Sequence, residues 1–457
     1  MNIILLSGGS GKRLWPLSND VRSKQFIKIF EKEDGELDSM LTRVYGQIMQ
    51  VDSEASITIA TSRKQASMIK NQLGEKVDIC VEPERRDTFP AICLAARYLH
   101  DVKGVSKDEV VVVCPVDPYV ESTYFEAIKE LCEVAKGESN ISLLGIHPTY
   151  PSAKYGYIFP GERMILPENN HMTAENKNIL DQNISLYKVD SFKEKPDEET
   201  AKTYIEQGAL WNGGVFAFKL SYILDKAKEI LSYDNYDELY KKYASLDKIS
   251  FDYAVVEKEK NIQVLEYDGE WKDLGSWNTF IEAMSHDTLG NVVMGDGCQS
   301  TSVVNELNIP ILCMGCEDMV VAASADGILI SAKNKSAHIK PYVEQVIGET
   351  MYAEKSWGSY TVMDVQEDSM TIKILLHPNQ KMNYHSHDHR DEVWTIVSGE
   401  GTVIVDGMEQ PVKAGDVITM EAGCRHTIIA KTSLQVVEVQ LGQNISVQDK
   451  HKYDMPV

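Results

Sequence analysis

The chain has 457 residues, and its 46 Lys and Arg residues stand against 69 Asp and Glu residues, which gives a formal net charge of −23. At roughly 100 to 200 residues per domain, this length predicts two or three domains. A surface this acidic repels phosphate polymers and anionic lipid, so we expect no nucleic-acid partner. A phosphate ligand would have to be small and held by local cations and backbone amides.

No apolar run approaches the roughly 20 residues that a transmembrane helix needs, so we expect no membrane span. The first residues, MNIILLSGG, lack a basic n-region and run directly into a glycine turn, which predicts a buried first strand and not a signal peptide. The eight cysteines lie mostly among apolar neighbours, as reduced thiols do in the cytoplasm, where we expect the protein to reside.

Residues 1–150 alternate strand-like apolar runs with amphipathic, helix-like stretches. The strand-like runs lie at 3–6, 56–60, 79–81, 110–114 and 142–146, and the helix-like stretches at 40–49, 63–73, 90–99 and 125–135. This alternation predicts an α/β domain whose mostly parallel sheet is covered on both faces. Ligands of such sheets bind beyond the carboxyl ends of the strands, so the loops at 7–22, 82–88 and 115–120 are the candidate sites.

The α/β pattern continues to about residue 285 and then changes twice. From 290 to about 346, short β-branched runs alternate with small polar turns, so no helix of normal length fits and a β coil is expected. From 356 onward, alternating strands separated by turns such as Asp406-Gly407 predict a small β-barrel or jelly roll. We therefore expect three domains, at residues 1–288, 289–350 and 351–457.

A glycine-rich loop, Ser-Gly-Gly-Ser-Gly-Lys-Arg at 7–13, follows the first strand. Its backbone amides can face a ligand without an intervening Cβ, which makes it a candidate phosphate-binding loop. Two common motifs do not match: a P-loop needs glycine where Leu6 stands and Ser or Thr where Arg13 stands, and a dinucleotide fingerprint needs a third glycine where Leu14 stands. A plain connecting turn remains the alternative.

The continuation of this loop is more specific. Arg-Leu-Trp-Pro-Leu-Ser at 13–18, followed by Lys24-Gln25-Phe26, resembles the signature of sugar-phosphate nucleotidyltransferases, in particular the mannose-1-phosphate guanylyltransferase branch. Further matches follow in the family's order over about 280 residues: EPERRDTFPA at 82–91, CPVDP at 114–118, YGYI at 155–158, EKP at 194–196, WNGG at 211–214 and WKDLGSW at 271–277. The resemblance implies a Rossmann-like nucleotidyltransferase domain with a mixed, mostly parallel sheet.

The same resemblance implies transfer of a guanylyl group from GTP to mannose 1-phosphate, giving GDP-mannose and pyrophosphate. Two polyanions must approach each other, so cations are needed near the α-phosphorus, and Arg13 and Lys24 would supply them. Asp117 and Asp273 are hard oxygen ligands suited to Mg²⁺. The residues expected to bind the nucleotide are Leu6, Gly8, Gly9, Gly11, Lys12, Arg13, Glu82, Arg86 and Thr88, and those expected to bind the sugar phosphate are Gly156, Glu194, Lys195 and Asn212.

Four positions depart from the family pattern, namely Ser23, Asp87, Phe89 and Pro118. The last three would lie near the nucleotide base and the metal. A transferase for another nucleotide or another sugar is therefore the alternative enzyme.

A histidine cluster marks the C-terminal region. The spacing His385-x-His387-x4-Glu392-x6-Gly399, with Glu421-x-Gly423-x2-His426 further on, resembles the two motifs of the cupin fold. Alternate residues of a strand point to one face, so His385 and His387 can reach one metal ion. With Glu392 and His426 they would form a four-ligand set for Zn²⁺ or another divalent transition metal. The alternative is a barrel whose histidines bind no metal ion.

Landmarks around this cluster, including Trp-Gly-Ser-Tyr at 357–360, His389-Arg390 and Glu438-Val439-Gln440, resemble type II mannose-6-phosphate isomerase cupins. The resemblance implies interconversion of mannose 6-phosphate and fructose 6-phosphate, with Arg390 holding the phosphate or stabilising the enediolate. A noncatalytic binding or dimerisation cupin is the alternative. Residues 290–346 would be either a spacer or a contact in a homodimer, and the sequence does not decide between these roles.

Overall fold

The computed structural model describes residues 1–9, 12–32, 34–164, 185–346, 348, 350–443, 445–446 and 449–455. The chain divides into two compact units. The first comprises Met1–Gly9 and Gln25–Gly275, and the second comprises Ser10–Lys24 and Ser276–Val457. The expected domain limits after residues 288 and 350 both fall inside the second unit and stay predictions. That residues 12–24 group with the C-terminal part of the chain was not expected.

The first unit is built from strands and helices in alternation. Its strands are β1 Asn2–Ser7, β2 Lys28–Glu31, β3 Leu37–Ser39, β4 Ser56–Ser62, β5 Asp78–Glu82, β6 Val110–Pro115, β7 Pro118–Val120, β8 Ile141–Ile146, β9 Tyr157–Met164, β10 Leu186–Lys193, β11 Leu210–Lys219, β12 Ile262–Tyr267 and β13 Trp271–Asp273. Its helices are α1 Met40–Val51, α2 Ala66–Leu73, α3 Thr88–Arg97, α4 Ser122–Val134, α5 Glu198–Glu206, α6 Leu220–Lys226 and α7 Tyr236–Lys242.

Nine of these strands form one central sheet in the order β5-β4-β1-β6-β11-β8-β12-β10-β9. β1 pairs in parallel with β4 and β6, β5 with β4, and β12 with β8. β11 and β10 run against their neighbours, so the sheet is mixed and mostly parallel, as expected. The β-branched side chains of β1 and β6 are almost completely buried, and each such side chain stabilises the fold by about 1.5–3 kcal/mol.

The part of the second unit that follows the first along the chain is a short β coil. Its strands are β14 Thr288–Leu289, β15 Val292–Met294, β16 Ser302–Asn305, β17 Ile311–Cys313, β18 Met319–Ser324 and β19 Gly327–Ala332, and its helices are α8 Trp277–Ile281 and α9 Lys340–Val346. β14, β16 and β18 stack in parallel, as do β15 and β17. Such parallel stacking of successive turns is β-helix-like, as expected. The one-to-two-turn helix α9 has only seven residues, shorter than a helix of normal length.

The last part of the second unit is an antiparallel barrel of two sheets. Its strands are β20 Tyr352–Lys355, β21 Gly358–Val365, β22 Ser369–Leu376, β23 His385–Ser386, β24 Arg390–Ser398, β25 Glu400–Val405, β26 Met408–Lys413, β27 Val417–Met420, β28 His426–Ala430, β29 Leu434–Gly442 and β30 His451–Lys452. The sheet orders are β20-β21-β22-β29-β24-β27 and β26-β25-β28-β23-β30. Trp394, Val403 and Leu434 lie in the buried core between them.

The expected fold class is confirmed: an α/β nucleotidyltransferase-type domain, a short β-helix-like linker and a C-terminal cupin barrel. Within the described ranges, no helix is long and apolar enough to cross a bilayer.

Candidate active sites

A two-stranded antiparallel sheet of the first unit lies beside both predicted metal ligands, Asp117 and Asp273. β7 and β13 pair antiparallel with Asp273 opposite Pro118, which is the neighbour of Asp117. Both carboxylates are half-buried. A Cβ at Gly275 would lie 2.7 Å from Asp273 Oδ2, so glycine there leaves room for the carboxylate. This pairing joins two segments that are far apart in the sequence and brings the backbone of Asp273 next to that of Pro118, the neighbour of Asp117.

The glycine loop begins where β1 ends. Leu6 lies in β1, and Gly8 and Gly9 are exposed beyond it. Nothing lies within 4 Å of a Cβ built at Gly8, while the Gly9 carbonyl accepts a hydrogen bond from Arg85 Nη2 at 3.0 Å. The predicted nucleotide contact Gly11 lies outside the described residues. The described part of the loop is thus open at Gly8 and held at Gly9.

The predicted base loop is tied to the segment 243–251. Glu82 is buried and accepts a hydrogen bond from the Tyr243 hydroxyl at 2.7 Å, and burial raises the pKa of the Glu82 carboxyl. Thr88 Oγ1 accepts from the Phe251 amide at 2.8 Å. Arg86 donates to a backbone carbonyl of the same segment. Glu82, Arg86 and Thr88 therefore fix the shape of this loop.

The four residues expected to bind the sugar phosphate lie together with a fifth, Asp252. The Asn212 amide donates to the Gly156 carbonyl at 2.8 Å, and Asn212 Nδ2 donates to Asp252 Oδ1 at 2.7 Å. Lys195 forms an ion pair with Glu194, whose side chain is 3% exposed. A Cβ at Gly156 would lie 2.5 Å from Glu194 Oε2, so only glycine leaves that carboxylate its place.

Asp252 is the residue of this cluster that sequence reasoning missed. Burial, and then the nearby Glu194 carboxylate, raise the pKa of Asp252 to about 6. Among the described residues, none donates a hydrogen bond to Glu194 Oε2, although this atom is buried. The cluster thus holds two carboxylates beside one ammonium group, and one carboxylate oxygen is left for a donor such as a sugar hydroxyl. The flanking residues Ser-Phe-Asp-Tyr gave no signal of this role.

The predicted cations of the glycine loop belong to the second unit. Lys12 Nζ lies 3.5 Å from Glu344 Oε1. Arg13 is exposed and Lys24 is half-buried. The aspartates and the sugar-phosphate cluster, in contrast, belong to the first unit.

The three predicted histidine ligands meet inside the barrel. His385, His387 and His426 are each 2% exposed, and their candidate ligand atoms lie within 4.8 Å of one another. Each Nδ1 faces a backbone carbonyl: His385 that of Asn383 at 2.7 Å, His426 that of Cys424 at 3.0 Å, and His387 that of residue 449. A carbonyl only accepts, so each Nδ1 carries the proton and each Nε2 lone pair is available.

Glu392 faces these lone pairs. Its oxygens lie 3.0 Å from His387 Nε2 and 3.2 Å from His426 Nε2. Arg390 Nε donates to Glu392 at 3.1 Å, and its Nη2 lies 3.0 Å from His387 Nε2. Arg390 therefore orients two of the predicted ligands.

The chemistry of this donor set fits a divalent metal. Three imidazole lone pairs and a carboxylate converge in a space that is almost closed to water, and within the part of the chain that the structure describes no group donates to His426 Nε2. Burial and the nearby Lys450 ammonium lower the pKa of His385, so protonation of the His385 ring is disfavoured. A cation between them would offset the repulsion of these electron-rich atoms. A donor set of three imidazoles and one carboxylate would suit Zn²⁺ or another divalent transition metal.

Two more ionisable groups border the histidine site. Glu438 is buried and accepts from Gln440 Nε2 at 2.5 Å, and burial, reinforced by Glu392, raises the pKa of Glu438 to about 7. Burial lowers the pKa of Lys450 to about 8. Glu438 was noticed in the sequence only as a landmark, and Lys450 was missed because its polar flanks carry no motif.

The fold and these sites together define an enzyme with two parts, an α/β domain of the nucleotide-transferring type and a cupin. The family model described as nucleotidyl transferase matches residues 2–289, and that described as mannose-6-phosphate isomerase C-terminal matches residues 344–454. The chain belongs to the nucleotidyl transferase family. This confirms the resemblance drawn from the motifs.

Relatives match the chain from end to end. A putative mannose-1-phosphate guanylyltransferase of Vibrio cholerae is 28% identical over 99% of each chain. A mannose-1-phosphate guanylyltransferase of Salmonella montevideo is 27% identical over 98% of this chain and 97% of its own. The xanthan biosynthesis protein XanB of Xanthomonas campestris is 29% identical over 99% of this chain and 97% of its own.

The chain is also similar to a solved structure described as mannose-1-phosphate geranyltransferase from Thermus thermophilus. The two are 26% identical with a TM-score of 0.58, and the match covers 75% of this chain and 98% of the other. This solved structure matches three quarters of the chain, whereas the sequence relatives match it over nearly its full length.

Proposed function

We propose that the first unit and the glycine loop transfer a guanylyl group from GTP to mannose 1-phosphate, giving GDP-mannose and pyrophosphate. The observation that carries the proposal is the ladder in which Asp273 pairs with Pro118, beside Asp117. The end-to-end similarity to proteins named mannose-1-phosphate guanylyltransferase supports the choice of substrates.

In this proposal Asp117 and Asp273 hold Mg²⁺, which when bound would neutralise charge on the α-phosphate and on the leaving pyrophosphate. Arg13 and Lys24 face the triphosphate, and the sugar phosphate oxygen attacks the α-phosphorus in line. Lys195 binds the phosphate of the sugar. No covalent enzyme intermediate is required.

The remaining predicted contacts divide between the two substrates. Leu6, Gly8, Gly9, Gly11 and Lys12 would surround the triphosphate with backbone amides and one further cation, while Glu82, Arg86 and Thr88 shape the base loop. Glu194 and Asn212 would read sugar hydroxyls, and Gly156 would let the backbone approach the ring.

We further propose that the cupin interconverts fructose 6-phosphate and mannose 6-phosphate. His385, His387, Glu392 and His426 would hold Zn²⁺ or another divalent transition metal, which when bound would polarise the carbonyl and hydroxyl oxygens of the substrate. Arg390 contacts both Glu392 and His387, so it would act mainly by orienting them. The match of residues 344–454 to the isomerase C-terminal model supports this activity.

Pyrophosphate release with four nucleoside triphosphates and several hexose 1-phosphates tests the transferase. We expect turnover to be highest with GTP and mannose 1-phosphate. A preference for another nucleoside triphosphate or another hexose 1-phosphate would contradict our choice of substrates. It would favour the alternative enzyme that the departures at Asp87, Phe89 and Pro118 suggest. Loss of turnover in Asp117→Asn and Asp273→Asn, with the fold retained, would support the aspartate roles.

The isomerase is tested separately in metal-replete protein. Exchange between fructose 6-phosphate and mannose 6-phosphate should disappear in Glu392→Gln and persist in Glu409→Gln, which changes an exposed glutamate of β26. No exchange in the unaltered protein would favour a noncatalytic cupin. We also propose that the protein is cytoplasmic and that it forms a homodimer. Sedimentation velocity would test the dimer.

A further inference from the structure

The glycine loop continues into a segment, residues 14–23, that lies between the predicted phosphate-binding residues Arg13 and Lys24. Hydrogen bonds join this segment to the β coil. Ser324 Oγ donates to the Pro16 carbonyl at 2.7 Å, and Asn19 Nδ2 donates to Asp326 Oδ2 at 2.7 Å. Ser324 ends β18, and Asp326 lies in the turn to β19. Two points of the loop are therefore held by one turn of the coil.

A packing contact and an ion pair also join this segment to the β coil. A Cβ at Gly327 would lie 2.4 Å from Cζ2 of Trp15, so glycine there admits the indole ring. Arg22 makes two parallel hydrogen bonds with Glu306, at 2.7 and 2.8 Å. The Arg22 side chain is 11% exposed, and the attraction of Glu306 outweighs burial and raises the pKa of Arg22. A paired guanidinium and carboxylate of this geometry is among the stronger and more directional polar contacts.

The first strand of the barrel joins the same network. Asn19 Nδ2 also donates to the Tyr352 carbonyl at 3.2 Å, and the Met351 amide donates to Asp326 Oδ1 at 2.7 Å. The Arg22 guanidinium lies 5.6 Å from the centre of the Tyr352 ring. The contacts of the loop thus reach from β16 to β20, all within the second unit.

We propose that the β coil positions the glycine loop for catalysis, with Glu306 and Asp326 as positioning residues and Arg22 and Asn19 as their partners in the loop. Arg13 and Lys24 flank the fastened stretch, so its geometry sets where their charges lie. Linker residues 290–346 are then part of the transferase machinery and not a spacer. The inference rests on the proposed transferase function.

Steady-state kinetics of the full chain test it. Glu306→Gln and Asp326→Asn should each raise the KM for GTP and lower kcat, with at least a tenfold loss of kcat/KM, while the KM for mannose 1-phosphate changes less than twofold. Arg22→Glu combined with Glu306→Arg should recover most of the loss. The matched control is Glu317→Gln, an exposed glutamate of the same coil.

A second measurement does not depend on the transferase reaction. Trypsin cleavage after Lys12 and Arg13, followed by mass spectrometry, should be at least tenfold faster in Glu306→Gln and Asp326→Asn than in the control, while the metal content of the cupin stays unchanged. Cleavage at the control rate would overturn the anchoring. Faster cleavage with unchanged kinetics would overturn the positioning role. If the unaltered protein fails to use GTP and mannose 1-phosphate, the proposed function falls, and the cleavage rates still decide whether the coil anchors the loop.

Discussion

At the scale of single residues, the cluster that we propose binds the sugar phosphate shows how closely placed buried carboxylates reduce the stability of the fold. Asp252 lies in a buried position beside the Glu194 carboxylate, and burial and this neighbouring charge raise the pKa of Asp252 to about 6, although Lys195 offsets part of the effect. A carboxyl whose pKa is raised on folding binds its proton more tightly in the folded state. Its ionised form therefore destabilises the protein above about pH 6, and the penalty fades as the pH falls towards the unfolded value near 4.

Asp252→Asn should remove this penalty. We expect the melting temperature to rise by roughly 2–4 °C at pH 8, with the gain shrinking between pH 6 and pH 4, and the KM for the sugar 1-phosphate to increase. Calorimetry across this pH range and transferase kinetics measure the two effects. Asp237→Asn, at an exposed position of α7, is the control. A gain that is the same at every pH would contradict the assignment of the raised pKa.

Gly156→Ala should disturb the same cluster by size alone. The added methyl group would lie 2.5 Å from Glu194 Oε2 and 2.6 Å from Phe192 Cζ, so both side chains would have to move. We expect a loss of about 1–3 kcal/mol in the free energy of unfolding and a rise in the KM for the sugar 1-phosphate, measured by denaturant unfolding and kinetics. Gly46→Ala has nothing within 4 Å of the new methyl group and is the control. Equal effects of the two substitutions would argue against crowding.

At the scale of elements, the last described strand completes the histidine site. β30 pairs with β23, the strand that contains His385. Just before it, the Asp449 carboxylate accepts from the amides of Asp388 and His389 at 2.9 and 3.1 Å, and the Asp449 carbonyl accepts from His387 Nδ1. This segment thus fixes both the loop and the tautomer of one predicted ligand. Such outer contacts often tune metal affinity strongly.

Asp449→Ala should weaken metal binding without removing a ligand. We expect the affinity for Zn²⁺ to fall roughly 10- to 100-fold, measured by competition with a coloured chelator. Transferase activity should be retained. Asp454→Ala changes an exposed residue of the same tail and is the control. Affinity equal to that of the control would show that the carboxylate does not hold the histidine loop.

The local sequence pattern was enough to predict most strands and helices. It did not predict which strands pair or which distant residues come into contact. The apolar run at 110–114 is the observed Val110–Pro115 strand, and the stretch at 40–49 is the helix Met40–Val51, because periodicity and burial act over a few residues. The insertion of β11 between β6 and β8, and the arrival of Asp252 beside Glu194, depend on contacts between distant segments. The histidines could be predicted as metal ligands because their spacing resembles the cupin motifs and because alternate strand residues share a face, whereas Lys450 has no such spacing.

At the scale of the whole molecule, each unit has a hydrophobic core of its own. One core lies between the central sheet and its helices, and another lies inside the barrel. A metal that binds the folded barrel and not the unfolded chain stabilises that barrel by mass action, by about 2.7 kcal/mol at a hundred times the dissociation constant.

Removal of metal should therefore act on one unit only. In calorimetry of the full chain, a chelator should lower the transition of the barrel by several degrees and leave that of the α/β unit in place, and added Zn²⁺ should restore it. Glu392→Gln should melt at the chelated temperature with or without Zn²⁺. A chelator effect that persists in Glu392→Gln would place the responsible metal elsewhere.

The fastening of the glycine loop also bears on how the protein is made. Arg22 and Glu306 are separated by 284 residues, and Asn19 and Asp326 by 307. During translation the loop emerges among the first residues, yet its partners leave the ribosome only after the whole α/β unit has been synthesised. A growing chain that stops short of residue 306 can form the central sheet but lacks the contacts of Arg22 with Glu306 and of Asn19 with Asp326, so transferase competence should arise late in synthesis and be lacking in prematurely terminated products.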